Sequence, residues 1–141
     1  MKTVVVINGP NMDRLGVREP GVYGSISLEE LNNKIAKKAE TLGLKAEFFQ
    51  SNHEGDIVDR IGSAGEDAIV INPAAYTHTS IALRDALAAY EGEIIEVHIS
   101  NIFAREDFRS KSLTASSCRG VISGLGAQSY LLALEGLKNL G

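Results

Sequence analysis

The sequence predicts a doubly wound α/β protein, and two observations carry that prediction. Short β-branched runs alternate with segments whose apolar residues recur at helical spacing. The runs at 3–7 and 68–71 are apolar without a break, the pattern of strands buried on both faces of a parallel sheet. In order the elements read βαβαβαβαβα, which folds as a three-layer sandwich around a five-stranded parallel sheet. The expected strand order is 2-1-3-4-5, the flavodoxin-like arrangement. Ligands of such sheets sit beyond the carboxyl ends of the strands, at the switch point between strands 1 and 3.

Residues 3–7 make strand 1, which Asn8-Gly9-Pro10 breaks. A loop then runs to Ser27, with glycine at 9, 16, 21 and 24 and proline at 10 and 20. Strand-to-helix connections usually take about two to six residues, so a loop this long has to be disordered or functional. Its Asn11, Arg14, Arg18, Glu19 and Tyr23 argue for function, with Gly16, Gly21 and Gly24 as hinges of a closing lid. Ser27 and Glu30 form a capping box for the first helix. There Leu28, Leu31, Ile35, Ala39 and Leu42 share a face, and Gly43 stops the helix. Strand 2 at 45–50 is less apolar and suits a sheet edge. The polar turn 51–55 leads to a short helix with Ile57, Val58 and Ile61 on one face, ended near Gly62 or Gly65. Strand 3 at 68–71 is closed by Asn72-Pro73. Thr79 or Ser80 caps the next helix, in which Ile81, Leu83, Ala86, Leu87 and Tyr90 pack. Strand 4 spans 93–99, the stretch 100–117 is long, polar and irregular, and Gly120–Ser123 is a short strand 5. The last helix, 127–140, turns Tyr130, Leu131, Leu134 and Leu137 inward.

The 141 residues suit one domain, 1–141, and 44% apolar content is enough for a real core. A net charge of −4 disfavours nonspecific nucleic-acid binding, while leaving room for a local basic pocket. Cys118 is the only cysteine, so no intrachain disulfide can form. The first apolar run is too short for a signal segment, and no stretch is long enough to span a membrane. A soluble, cytoplasmic chain is the expectation.

The topology tells which residues leave the carboxyl ends of the strands. Strand 1 delivers Asn8, Asn11 and the loop carrying Arg18 and Tyr23; strand 2 delivers Gln50, Asn52 and His53. Strand 3 delivers Asn72, Tyr76, Thr77 and His78, and strand 4 delivers Glu96, His98 and Ser100, followed by Arg105 and Arg109. All three histidines fall on this one edge, which makes it the candidate site. Plainer readings compete for single residues. His53 reads best as a group bonding the backbone at a helix start, Asn72 fits a strand end, and Arg18-Glu19 reads as a solvated pair of little energetic weight. Glu96 and His98 share a strand face by the period-two rule, and a buried glutamate needs a partner, so here the functional reading leads. Arg105 and Arg109 share a face if their segment turns helical. A metal site is disfavoured because the three histidines lack ligand-like spacing. Neither nucleotide glycine motif is present, and Gly120, Gly124 and Gly126 read as packing or as a weak anion site.

Five motifs then stand in order: G-P-N-x-x-x-L-G-x-R-E-P-x-x-Y-G, Q-S-N-H-E-G, N-P-x-A-Y-T-H-T-S, E-V-H-I-S-N and R-E-x-F-R. Together they resemble the type II 3-dehydroquinate dehydratase family, over nearly the whole chain. The resemblance implies one catalytic domain that converts 3-dehydroquinate to 3-dehydroshikimate by anti elimination through an enolate, in the shikimate pathway, without cofactor, metal or Schiff base. It implies Tyr23 as the base at C2, kept ionised by Arg18, and His98 as the acid for the departing C1 hydroxyl. It implies that Asn11 holds a water at the enolate oxygen. Asn72 and the backbone of Ile99 and Ser100 would grip the carboxylate, and His78 and Arg109 the ring hydroxyls. Asp85 would come from a neighbouring subunit of a homododecamer built from trimers. Met12-Asp13-Arg14, Ala74, Phe103 and Ser129 depart from the family's usual residues, and the Asp13-Arg14 pair bears on lid packing.

A free phenol titrates near about 10, and lowering that by ~3 units takes roughly 4 kcal/mol. One guanidinium at ~4 Å supplies about that at an effective dielectric of about 20, and burial opposes it. Arg18 is therefore expected to be the main activator, with Arg105 or Arg14 assisting. Glu96 is expected to orient His98. The competing readings are a noncatalytic flavodoxin-like binding module and a hydro-lyase acting on a related cyclic carboxylate. The first fits poorly, because strands 1 and 3 end in Asn8 and Asn72 rather than in acidic groups or a phosphate loop.

Overall fold

Strand β1 (Lys2–Asn8) is an interior strand of the sheet, and its side chains alternate between two apolar layers. The structure, a computed structural model, describes residues 2–17, 21 and 25–140. Val4 and Val6 pack with Leu31, Ile35, Tyr130 and Leu134, while Val5 and Ile7 pack with Ile57, Ile61, Leu83 and Leu87. Helices α1 (Leu28–Thr41) and α4 (Gln128–Leu140) thus cover one face of the sheet. Helices α2 (Glu54–Gly62) and α3 (Ile81–Ala89) cover the other.

The remaining strands are β2 (Leu44–Gln50), β3 (Ala68–Asn72), β4 (Glu93–His98) and β5 (Gly120–Ser123). All pair in parallel, in the order β2-β1-β3-β4-β5. This is the predicted arrangement. The register sets Asn8 beside both Gln50 and Asn72, so the switch point is bounded by amide side chains. Among the described residues no helix is long and apolar enough to cross a membrane.

The helix starts follow local chemistry. Ser27 accepts from the Glu30 amide at 3.1 Å, and its hydroxyl donates to the Glu30 carboxylate at 3.2 Å. Ser80, not Thr79, caps α3 by accepting from the Leu83 amide at 2.9 Å. His53 occupies the cap position of α2, yet its side chain makes no capping bond. Ser51 holds that corner instead, accepting from the His53 amide at 3.0 Å. The expected backbone-bonding role of His53 is therefore corrected.

Two loop positions bring the backbone close to the site. At Gly9 a Cβ would lie 2.5 Å from the Pro73 carbonyl oxygen, and the Gly9 amide donates to the Asn72 carbonyl at 2.8 Å. Only glycine lets the ends of β1 and β3 approach this closely. Ala74, where the family resemblance led us to expect glycine, adopts φ 53°. The left-handed region costs an L-residue about 1–2 kcal/mol. The Ala74 amide donates to Asn72 Oδ1 at 3.0 Å, so the strain buys a fixed Asn72.

Candidate active site

Beyond the carboxyl ends of β1, β3 and β4 lies a cleft with about 510 Å³ of empty space, part of it open to solvent. Asn11, Asn72, His78, His98, Ile99, Ser100 and Arg109 all line it, as does Arg105. The topological expectation for these residues is met. Strand 1 contributes Asn11 through a turn in the left-handed region, φ 68°, a conformation asparagine tolerates. The Asn11 amide donates to Asn52 Oδ1 at 2.9 Å, tying the first loop to the end of β2. Met12 and Leu15 bury themselves in the core beside it, which anchors the start of that loop.

His98 is 4% exposed and Glu96 is fully buried. They share a strand face, and His98 Nε2 lies 2.7 Å from Glu96 Oε2. A carboxylate only accepts, so Nε2 carries the hydrogen of this bond. Thr77 and Ser112 donate to Oε2 at 3.0 Å each, and Thr114 donates to Oε1. Burial pushes the Glu96 carboxyl up, but hydrogen bonds from His98, Thr114 and Ser112 and the charge of His98 outweigh it. Glu96 is thereby held below the usual carboxylate range, an anion under the cleft.

The other histidine of the cleft is also oriented. His78 Nδ1 lies 2.6 Å from the Lys111 carbonyl, so Nδ1 carries a hydrogen and Nε2 is the remaining ring nitrogen. The two arginines sit on different short turns, Ile102–Ala104 followed by Arg105, and Asp107–Arg109. They do not share one helical face. Glu106 gathers them, taking Arg109 Nε at 3.0 Å and Arg105 Nε at 3.7 Å. The hydrogen bond from Arg109 holds the Glu106 carboxyl below its ordinary range. Arg109 also lies over the Phe108 ring, 5.1 Å from its centroid.

Asn72 is aimed from below by Tyr130, a fully buried residue of α4. Asn72 Nδ2 donates to the Tyr130 hydroxyl at 2.9 Å, and that hydroxyl donates to Asn8 Oδ1. Burial pushes the Tyr130 phenol far above its ordinary value, so it stays a neutral donor. The other Asn72 N–H meets only the Met12 thioether, at 3.7 Å, and is the one to offer a ligand. Tyr130→Phe is expected to destabilise the fold by about 1–3 kcal/mol, because two buried amide groups lose a partner. Urea unfolding checks this, and an unchanged midpoint would remove the linkage. Ser129, the residue before it, donates to the His98 carbonyl at 3.1 Å, stapling α4 to the end of β4.

A family model described as dehydroquinase class II matches residues 2–138. The chain belongs to the class II dehydroquinase family. It is 55% identical to the 3-dehydroquinate dehydratase of Caldicellulosiruptor bescii, over 99% of each chain. It is 54% identical to that of Rhizobium meliloti, over 98% of this chain and 95% of the relative. The crystal structure of type II dehydroquinase from Butyrivibrio crossotus superposes with a TM-score of 0.95 at 47% identity, covering 96% of this chain and 97% of the other.

In this class II dehydroquinase the described cleft does not include every expected residue. Tyr23 and Arg18 lie outside the described residues. Asp85 is exposed on α3 and does not line the cleft of its own chain. Arg14 is exposed in the Met12–Arg14 turn and is likewise absent from the lining. His53, although it leaves the same sheet edge, is not part of the cleft wall, so two histidines meet there rather than three. Sequence reasoning put Thr77 at the right edge but not its bond to Glu96, and it missed Ser112, Thr114, Glu106 and the polar role of Tyr130. Tyr130 carried a signal, since a tyrosine on the apolar face of a buried helix needs a partner for its hydroxyl.

Proposed function

We propose that the chain, as one catalytic domain over 1–141, dehydrates 3-dehydroquinate to 3-dehydroshikimate by anti elimination through an enolate. The phenolate of Tyr23, kept ionised by Arg18, takes the C2 proton. His98 then protonates the C1 hydroxyl, the C–O bond breaks, and water leaves. Glu96 orients the imidazole by holding Nε2, which leaves Nδ1 for the leaving group. Asn11 holds a water at the enolate oxygen. Asn72 with the backbone of Ile99 and Ser100 binds the carboxylate, and His78 and Arg109 bind the ring hydroxyls. No cofactor or metal takes part.

The observation that carries this reading is the buried His98–Glu96 pair at the floor of a cleft walled by two arginines and two asparagines. An acid held on an anion, opposite groups suited to a polyhydroxylated carboxylate, is what the elimination needs. Asp85, exposed and remote from its own cleft, is proposed to complete the site of a neighbouring subunit in a dodecamer of trimers. The working compartment is the cytoplasm.

An ultraviolet assay of enone formation from 3-dehydroquinate tests the activity, and formation of the conjugated product is expected. Borohydride added in the presence of 3-dehydroquinate, so that any imine would be reduced, is expected to leave the enzyme active, since no lysine stands in the matched motifs. Absence of enone would overturn the reaction, and inactivation by borohydride would overturn the imine-free route.

A further inference from the structure

Glu96 is met by three hydroxyls drawn from separate parts of the chain. Thr77 comes from the Ala74–His78 turn after β3, and Ser112 and Thr114 come from the connection between β4 and β5. With His98 Nε2 they make four donors on one carboxylate, about the number its lone pairs accept. Both oxygens are therefore committed. The three hydroxyl oxygens also crowd together, Thr77 to Thr114 at 2.7 Å, Thr77 to Ser112 at 2.9 Å and Ser112 to Thr114 at 3.2 Å, and with each single hydrogen given to Glu96 these are close contacts around the carboxylate rather than further bonds. The Ala115 amide donates to Ser112 Oγ at 3.0 Å, which turns the Ser112 hydrogen away from that side.

We propose that Thr77, Ser112 and Thr114 act as positioning residues that lock the Glu96 carboxylate, and through it fix which ring nitrogen His98 presents to the cleft. In the imidazolium both nitrogens carry hydrogen, and the locked anion takes Nε2–H, leaving Nδ1–H for the substrate. After the proton is given up, the same anion keeps the neutral ring as the Nε2–H tautomer, ready to be recharged at Nδ1. Without the lock the carboxylate is free to rotate, and the ring loses its fixed edge. The proposal rests on the reading of His98 as the acid for its catalytic consequence, but not for its structural one.

The same hydroxyls tie down the β4–β5 connection, where the Leu113 amide donates to the Thr77 carbonyl at 2.7 Å. That connection carries Arg105 and Arg109. A role confined to bracing it would show in substrate binding, hence in KM. A role through His98 shows in kcat.

The test compares Thr77→Val and Thr114→Val with Thr77→Ser and Thr114→Ser. Ser112→Ala, at a half-exposed position, serves if a valine variant fails to unfold cooperatively. Imidazole nitrogen NMR of the unliganded enzymes, at a pH high enough to make the ring neutral, reads the His98 tautomer, and steady-state rates give kcat and KM. The valine variants are expected to lose the single Nε2–H signature and to drop kcat by about tenfold or more, with KM little changed. The serine variants, which keep the hydroxyl, are expected to retain both. Valine and serine variants falling alike, a loss confined to KM, or an intact tautomer signature in the valine variants would each overturn the proposal. A lost signature with unchanged kcat would support the lock, and would instead overturn the reading of His98 as the acid.

Discussion

Replacing His98 with glutamine, whose amide nitrogen overlays Nε2, is expected to lower kcat by about 10²- to 10⁴-fold, the usual weight of one positioned acid. The amide keeps a donor for Glu96, so the network beneath the cleft stays satisfied and the fold survives. Alanine is a poorer probe. It would leave a fully buried carboxylate without its imidazole donor, and a buried group short of a hydrogen-bond partner costs about 1–3 kcal/mol. Steady-state enone formation and thermal unfolding on the same samples separate the two effects. A near-normal kcat in a folded His98→Gln enzyme would end the assignment of His98 as the acid.

The sheet order and the Glu96–His98 pair were legible because both rest on local periodicity. Alternation along residues 93–98 puts Glu96 and His98 on one face whatever the rest of the chain does. Uninterrupted apolar runs at β1 and β3 mark central strands, and topology then places Asn72, His78 and Ser100 at one edge. That edge is coarser than the cleft. His53 leaves β2 at the same level but does not line the cleft, since position along an edge says nothing of position across it. The hydroxyls on Glu96 were not legible either. Thr77, Ser112 and Thr114 are 16 to 19 residues from Glu96 in sequence, and only the folded connections bring them together. The two arginines reached one cleft by a route different from the expected helix face, through the carboxylate of Glu106 between them.

Arg18→Ala and Tyr23→Phe are expected to be as damaging as the loss of His98, and their pH profiles are expected to differ. Tyr23→Phe removes the base itself, so activity should fall by about 10²- to 10⁴-fold at every pH. Arg18→Ala leaves the phenol in place and removes the charge that keeps it ionised. A phenol titrating near its ordinary value of about 10 is about one part in a thousand ionised at neutrality, so kcat should fall on the order of 10³-fold near pH 7. That loss should shrink as the pH is raised toward the phenol's own range, as hydroxide replaces the guanidinium as the cause of ionisation. Of the two assisting arginines expected from the sequence, Arg105 lines the cleft and is only 14% exposed, whereas Arg14 does not line it. Arg18→Ala combined with Arg105→Ala should therefore be slower at neutrality than Arg18→Ala alone. The measurement is kcat against pH for the three variants. The loss of the His98 proton at high pH is common to all the enzymes, so the profiles are compared as ratios to the unaltered enzyme; an Arg18→Ala ratio that stays flat and low at high pH, parallel to Tyr23→Phe, would show that Arg18 does something other than hold a phenolate.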